Sequence, residues 1–221
     1  MQYTVVKQKR KTATIVINEQ LEVLVKVPHY MTKKQIEYLI NKHEKWITES
    51  LEKRRSFNEN NDWYQTKRML YLGEYWPVTL IQDLRQKSRA FFDGKRFIVI
   101  SDGSEVTARQ EMEYFLRKKA KELIIPLANE YASLLEVSFN KVSIRKQATR
   151  WGSCSSKGNL SFNVKILCAP TEMIAYVVLH EVMHLKHFNH SKTFWQEIEV
   201  MMPDYKRRMK YFKQFGQNFM I

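Results

Sequence analysis

Two spacings of apolar residues take turns along this chain. In Thr14-Ile15-Val16-Ile17 and again in Leu21-Glu22-Val23-Leu24-Val25-Lys26-Val27, apolar residues dominate and, in the second run, roughly alternate with charged ones. A period near two is that of a half-buried strand, so two strands are expected, turning at Asn18-Glu19-Gln20. At Thr32 the period lengthens. Ile36, Leu39, Ile40, His43, Ile47 and Leu51 fall on one helical stripe, which predicts a helix capped by Thr32 and running toward Arg55, with His43 at the edge of the core. The polar stretch SFNENND at 56–62 carries no stripe and reads as a mobile connection. Strands resume at Leu70–Leu72, Trp76–Ile81, Ala90–Phe92 and Arg96–Ile100, punctuated by Gly73, Asp93-Gly94 and Asp102-Gly103.

From Glu105 the helical period returns in Met112, Phe115, Leu116, Leu123, Leu127, Tyr131 and Leu134, with Pro126 as a candidate kink. A strand over Lys141–Arg145 follows, then RWGSCSSKGNLSFNVKI as a hairpin turning near Lys157-Gly158, then a helix for which Thr171 is the expected cap. Ser191 looks like the cap of another helix over Lys192–Met202. In PDYKRRMKYFKQFG, Tyr205, Met209 and Phe212 make one face of a basic amphipathic helix that would pack on the layer beneath it. The fold class is therefore α+β: an N-terminal antiparallel β-sheet region with one helix over residues 1–104, and a more helical part with a β-hairpin over residues 105–221. The two parts form either separate small domains or one compact unit.

Composition narrows the setting. The chain has 221 residues, of which 44% are hydrophobic, enough for a sizeable core. Cys154 and Cys168 are too few for a disulfide scaffold and are expected reduced. No run of about 18 apolar residues occurs, and positive charges interrupt the first residues where a secretory peptide needs an apolar core. The expectation is a soluble, cytoplasmic protein without membrane association. A net charge of +14 favours anionic partners, yet it is spread evenly, +6 over residues 1–105 and +8 over 106–221. A solvated surface accounts for it, and nucleic-acid association through the basic surface remains a second possibility.

The candidate chemistry lies in HEVMHLKHFNH, residues 180–190, which holds four of the six histidines. Residues four apart on a helix share a face, so His180 and His184 can grip one metal, and Glu181 can reach a water on that metal without being a ligand. A zinc ion would lower the pKa of such a water to about 7. Two residues compete as third ligand. His187 continues the helical face but lies about one turn farther along, whereas a chain reversal after His184 would aim His190 at the metal, with Asn189 in a left-handed conformation as the means of turning. That spacing is the one found in HExxHxxGxxH enzymes, with His187 standing here in place of the glycine. His190 is favoured as ligand.

These segments carry a family resemblance. RWGSCSSKGNLSFNVKILCAP (150–170) followed by HEVMHLKHFNHSKTFW (180–195) resembles the YgjP-like metallopeptidases, zincin-like HExxH proteins. The resemblance implies an α+β zincin-like fold, zinc held by His180, His184 and His190, and Glu181 as general base. Members are described as metal-dependent hydrolases, some of them as nucleotide pyrophosphatases acting on UTP. Three functions are thus carried forward. The leading one is a zinc metallopeptidase acting on a peptide or protein. The second is a metal-dependent nucleoside triphosphate pyrophosphatase, and the third a basic nucleic-acid-associated protein with structural zinc. Arg150 and Asn163 in the hairpin are the candidate substrate-binding residues, Arg150 as a bidentate donor to an oxyanion or phosphate. Cys154 and Trp151 read as packing residues.

Overall fold

The computed structural model describes residues 2–18, 21–147, 150–216 and 219–220. Two compact units divide the chain, Met1–Asn60 and Asn61–Ile221. In the first, strands β1 (Thr4–Gln8), β2 (Thr14–Ile17) and β3 (Val23–Pro28) form a sheet in the order β1-β3-β2, and helix α1 (Lys33–Asn61) follows. Val23, Val25 and Val27 project from one face of β3 and meet Ile36, Ile40 and Ile47 of α1, giving this unit its own core. Thr32 and Gln35 cap α1 reciprocally: the Gln35 amide donates to Thr32 Oγ1 at 3.3 Å and the Thr32 amide to Gln35 Oε1 at 2.9 Å.

Several expectations are corrected in this unit. The helix runs through the stretch expected to be a mobile connection, as far as Asn61, and the Asn60 side chain donates to Ser56 Oγ one turn back. His43 is exposed, because the stripe that is buried narrows to Ile36, Ile40 and Ile47. β1, which sequence pattern did not reveal, pairs parallel with β3. Of the turn expected at 18–20, Glu19 and Gln20 lie outside the described residues.

The second unit opens with the short helix α2 (Trp63–Thr66), capped by Asp62. Strands β4 (Arg68–Tyr71), β5 (Glu74–Gln82), β6 (Arg89–Phe92) and β7 (Phe97–Ser101) form a sheet in the order β4-β5-β7-β6. Here too one pair, β5 with β7, is parallel, so the α+β class holds with mixed sheets instead of purely antiparallel ones. Helix α3 (Glu105–Leu134) packs against this sheet, its N-terminus capped by Ser104. Ala108, Ala120, Ala128 and Ala132 are buried along it and let neighbouring elements approach closely, while Met112, Leu116 and Ile124 fill the space between. Pro126 sits inside α3 without ending it.

Beyond α3, strands β8 (Lys141–Arg145), β9 (Gly152–Cys154) and β10 (Asn159–Asn163) form a sheet in the order β8-β10-β9. The β9–β10 pair is the expected hairpin, and Gly158 in its turn has φ +69°. A 3-10 helix (Val164–Cys168) then leads to helices α4 (Thr171–Met183), α5 (Lys192–Met201) and α6 (Tyr205–Phe215). Pro170, not Thr171, occupies the cap position of α4, and no side chain caps it. Gly73 (φ +88°) passes so close to Pro170 that a Cβ there would lie 2.7 Å from the ring, fastening the β4–β5 turn to the start of α4. α4 is buried nearly all round, as a helix at the centre of a core must be. Among the described residues, no helix is long and apolar enough to cross a membrane.

Candidate metal centre

The last turn of α4 presents His180 and Glu181, and His184 caps its C-terminus with helical torsions. The helix then stops. The amides of Leu185, Lys186 and His187 fold back onto the carbonyls of Val182 and Met183, and Ser191 starts α5 by accepting from the Phe194 amide at 3.3 Å. His190, just before that cap, is thereby swung toward α4. Its Nε2 lies 3.0 Å from Nε2 of His180, and one ligand atom from each of His180, His184 and His190 lies within 4.8 Å of the others. No residue of this turn has positive φ, so the expected left-handed Asn189 is not what reverses the chain; the folded-back amides do it instead.

The remaining histidine holds the turn from outside the cluster. The His187 carbonyl accepts from His184 Nδ1 at 3.0 Å, while the His187 ring meets Glu197 Oε1 at 2.9 Å and Lys186 meets Glu197 Oε2 at 2.8 Å. Beneath the cluster lies the fully buried ring of Phe194, with centroids 5.1, 4.9 and 4.9 Å from His180, His184 and His190. Trp195 stacks on His190.

These donors suit a divalent metal. A carbonyl can only accept, so His184 donates its Nδ1 hydrogen to the His187 carbonyl, which leaves Nε2 as the atom it can offer to a metal. His180 Nδ1 is buried and has no hydrogen-bond partner among the described residues. The 3.0 Å between the Nε2 atoms of His180 and His190 approaches the roughly 3.3 Å edge of a tetrahedron with metal–nitrogen bonds of about 2.0–2.1 Å. Burial, together with the neighbouring His184 and His190, pushes the His180 imidazolium down to about 3, and burial and His184 lower that of His190. Both rings are therefore neutral near pH 7, the form that binds a metal.

Glu181 is only 7% exposed, and burial raises its carboxyl to about 7 against the opposing pull of Arg150. Gly152 of β9 lies directly on it: a Cβ at that position would be 2.5 Å from Glu181 Cγ and 2.8 Å from Oε1. His180, Glu181 and His190 open onto a cleft of about 600 Å³. Tyr176 and Val177 of α4, Trp195 of α5, and Met209 and Phe212 of α6 give it apolar walls, and Arg150 and Lys213 are its exposed cationic residues.

Residues 11–215 match the family described as YgjP-like, metallopeptidase domain. The chain belongs to the YgjP-like metallopeptidase family. It is on that ground a metal-dependent hydrolase, and the family's description names a peptidase, not a protein of nucleotides or nucleic acid. Two crystal structures of metallopeptidase zymogens are also similar. Abylysin of Pyrococcus abyssi is 24% identical, with 44% of this chain and 99% of abylysin covered at a TM-score of 0.40. Jannalysin of Methanocaldococcus jannaschii is 26% identical, with 36% and 86% covered at a TM-score of 0.28. No curated protein matches.

In the YgjP-like chain the two hairpin candidates lie in different surroundings. Arg150 is exposed at the cleft, whereas Asn163 is 2% exposed and engaged with backbone. Asn163 Nδ2 donates to the carbonyls of Gln147 at 2.7 Å and Arg150 at 3.0 Å, and its Oδ1 accepts from the Lys165 amide at 3.2 Å. Asn163 thus holds the segment bearing Arg150. Asn163→Ala leaves those buried groups unpaired and should lower stability by about 1–3 kcal/mol in denaturant unfolding, with metal content unchanged. A midpoint equal to wild type would refute this. Tyr176 and Val177 went unnoticed in the sequence, although their spacing of four and three residues before His180 places them on the same face of α4 as His180.

Proposed function

We propose that this protein is a zinc metallopeptidase in which His180, His184 and His190 hold the metal and Glu181 is the general base, with the catalytic part spanning residues 105–221. The supporting observation is the convergence of three imidazoles beside one buried carboxylate at an apolar cleft. Zinc bound there would act as a Lewis acid on the scissile carbonyl and make a water acidic enough to attack it. Glu181 would take a proton from the attacking water and deliver it to the departing amine; a carboxyl raised toward neutrality by burial is suited to both halves of the task. β9 ends its sheet, bonded to β10 on one side, and offers an extended substrate a strand to pair with beside Glu181. That geometry favours a peptide over a nucleotide. Arg150 contributes substrate contact from the same segment.

The deciding test is metal content by elemental mass spectrometry together with peptide hydrolysis before and after chelation. Wild type should carry about one zinc per chain, and His184→Ala and His190→Ala should lose it. His187→Ala should keep it, because the backbone carbonyl that orients His184 survives. Wild type that takes up no zinc when supplied with it, or hydrolysis untouched by chelation, would end this reading.

A further inference from the structure

Cations on α6 mostly have partners: Arg207 and Arg208 bind Asp204, and Lys206 binds Glu199. In the cleft the pattern changes. Among the described residues neither Arg150 nor Lys213 makes an ion pair, and the only carboxylate lining the cleft is the buried Glu181, on which Arg150 acts electrostatically. The two cations are brought to one place by packing. Trp151, next to Arg150, lies 5.3 Å from Phe212, next to Lys213, and 5.4 Å from Phe219. Gly216 presses on the same indole so closely that a Cβ would lie 2.5 Å from Cζ2. The aromatic clamp therefore fixes the Arg150 segment to α6.

Among the described residues the one counter-charge at these two cations is the buried Glu181, which faces Arg150, and the apolar walls focus the remaining positive field on an anion bound in the cleft. Val177, Trp195, Met209 and Phe212 line the same cleft and give it an apolar surface suited to a large apolar side chain. We infer that the cleft selects peptides in which a large apolar residue is followed by a carboxylate, held by Arg150 and Lys213. This rests on the peptidase reading and specifies its substrate class. The carboxylate belongs either to an acidic side chain or to the substrate's own C-terminus, and the same two cations would bind either.

The test is fluorescence anisotropy with the 221-residue chain in chelator, so that binding is read without turnover. Four labelled peptides differ only after a fixed Phe: amidated Phe-Glu, Phe-Gln and Phe-Lys, and Phe-Gln with a free C-terminal carboxylate. Phe-Glu should bind about tenfold more tightly than amidated Phe-Gln at low salt, and Phe-Lys more weakly than both. If the free-carboxylate peptide matches or exceeds Phe-Glu, the terminus is the natural source; if it binds like amidated Phe-Gln, the acidic side chain is. Lys213→Glu, a change at an exposed helical position, and Arg150→Gln should each erode the preference. Affinities of Phe-Glu and amidated Phe-Gln within twofold, or a preference that survives both substitutions, would overturn the inference. Zinc is then restored and cleavage measured: no cleavage of any peptide despite selective binding counts against the peptidase reading alone, and cleavage without selective binding counts against the carboxylate site alone.

Discussion

Glu181→Gln lowers the rate of peptide hydrolysis by about 10²–10⁴-fold, the range general-base catalysis supplies, and leaves the zinc content at the wild-type level. The substitution preserves shape: a side chain of nearly equal volume stays against Gly152 in the buried position that Glu181 holds. What it removes is the ability to accept a proton. The imidazole cluster is untouched, because none of its hydrogen bonds involves the Glu181 side chain. Parallel measurement of kcat, metal content and thermal midpoint separates the outcomes. A variant that keeps its zinc and hydrolyses within tenfold of wild type removes Glu181 from the mechanism. One that loses zinc as well shows that the carboxylate supports the ligands instead.

A second large effect is expected one strand away. Gly152→Ala should depress kcat/KM by about 100-fold, the scale on which a displacement near 1 Å disturbs a reacting geometry, and lower stability by about 1–3 kcal/mol through overpacking. The added methyl would sit 2.5 Å from Glu181 Cγ, and the two backbones that carry the partners are held in place. Gly152 is held in register opposite Phe162, and its neighbour Trp151 is clamped by Phe212 and Phe219. Glu181 lies on α4, most of whose side chains are buried, so the helix itself cannot shift and only the Glu181 side chain, which faces the cleft, can move. The carboxylate must therefore swing away from the site. Zinc content should be unchanged, and activity equal to wild type would mean that the strand yields and that the contact carries no catalytic weight.

Much of this site could be read from the chain because its logic is local. His180 and His184 are related by one helical turn, and Ser191 announces a new helix, so a reversal between them follows from short-range rules alone. The manner of reversal did not follow, since an ordinary run of folded-back amides leaves no sequence mark comparable to a glycine. Asn163 was similarly opaque: the polarity of a strand residue is visible, but not that its amide points into the protein toward the carbonyls of Gln147 and Arg150. Long-range features were the least legible. The parallel pairing of β5 with β7 and of β1 with β3 joins segments that adjacent turns do not connect. The extension of α1 through residues 56–61 proceeds without an apolar stripe, through side chains that bond one turn apart, as Asn60 and Ser56 do. The cleft walls contributed by Met209, Phe212 and Lys213 exist only once α6 has folded back over α4.

The turn from His184 to Ser191 is secured by the protein's own bonds: the His187 carbonyl to His184, the His187 and Lys186 side chains to Glu197, and the Ser191 cap. The ligands are thus gathered by contacts that do not involve a metal. The three imidazoles then differ in what fixes them: α4 carries His180 and ends at His184, whereas His190 depends on this turn alone. Loosening Glu197 or Ser191 would therefore displace His190 first and leave the other two in place, so that one surface turn sets the geometry of the whole cluster.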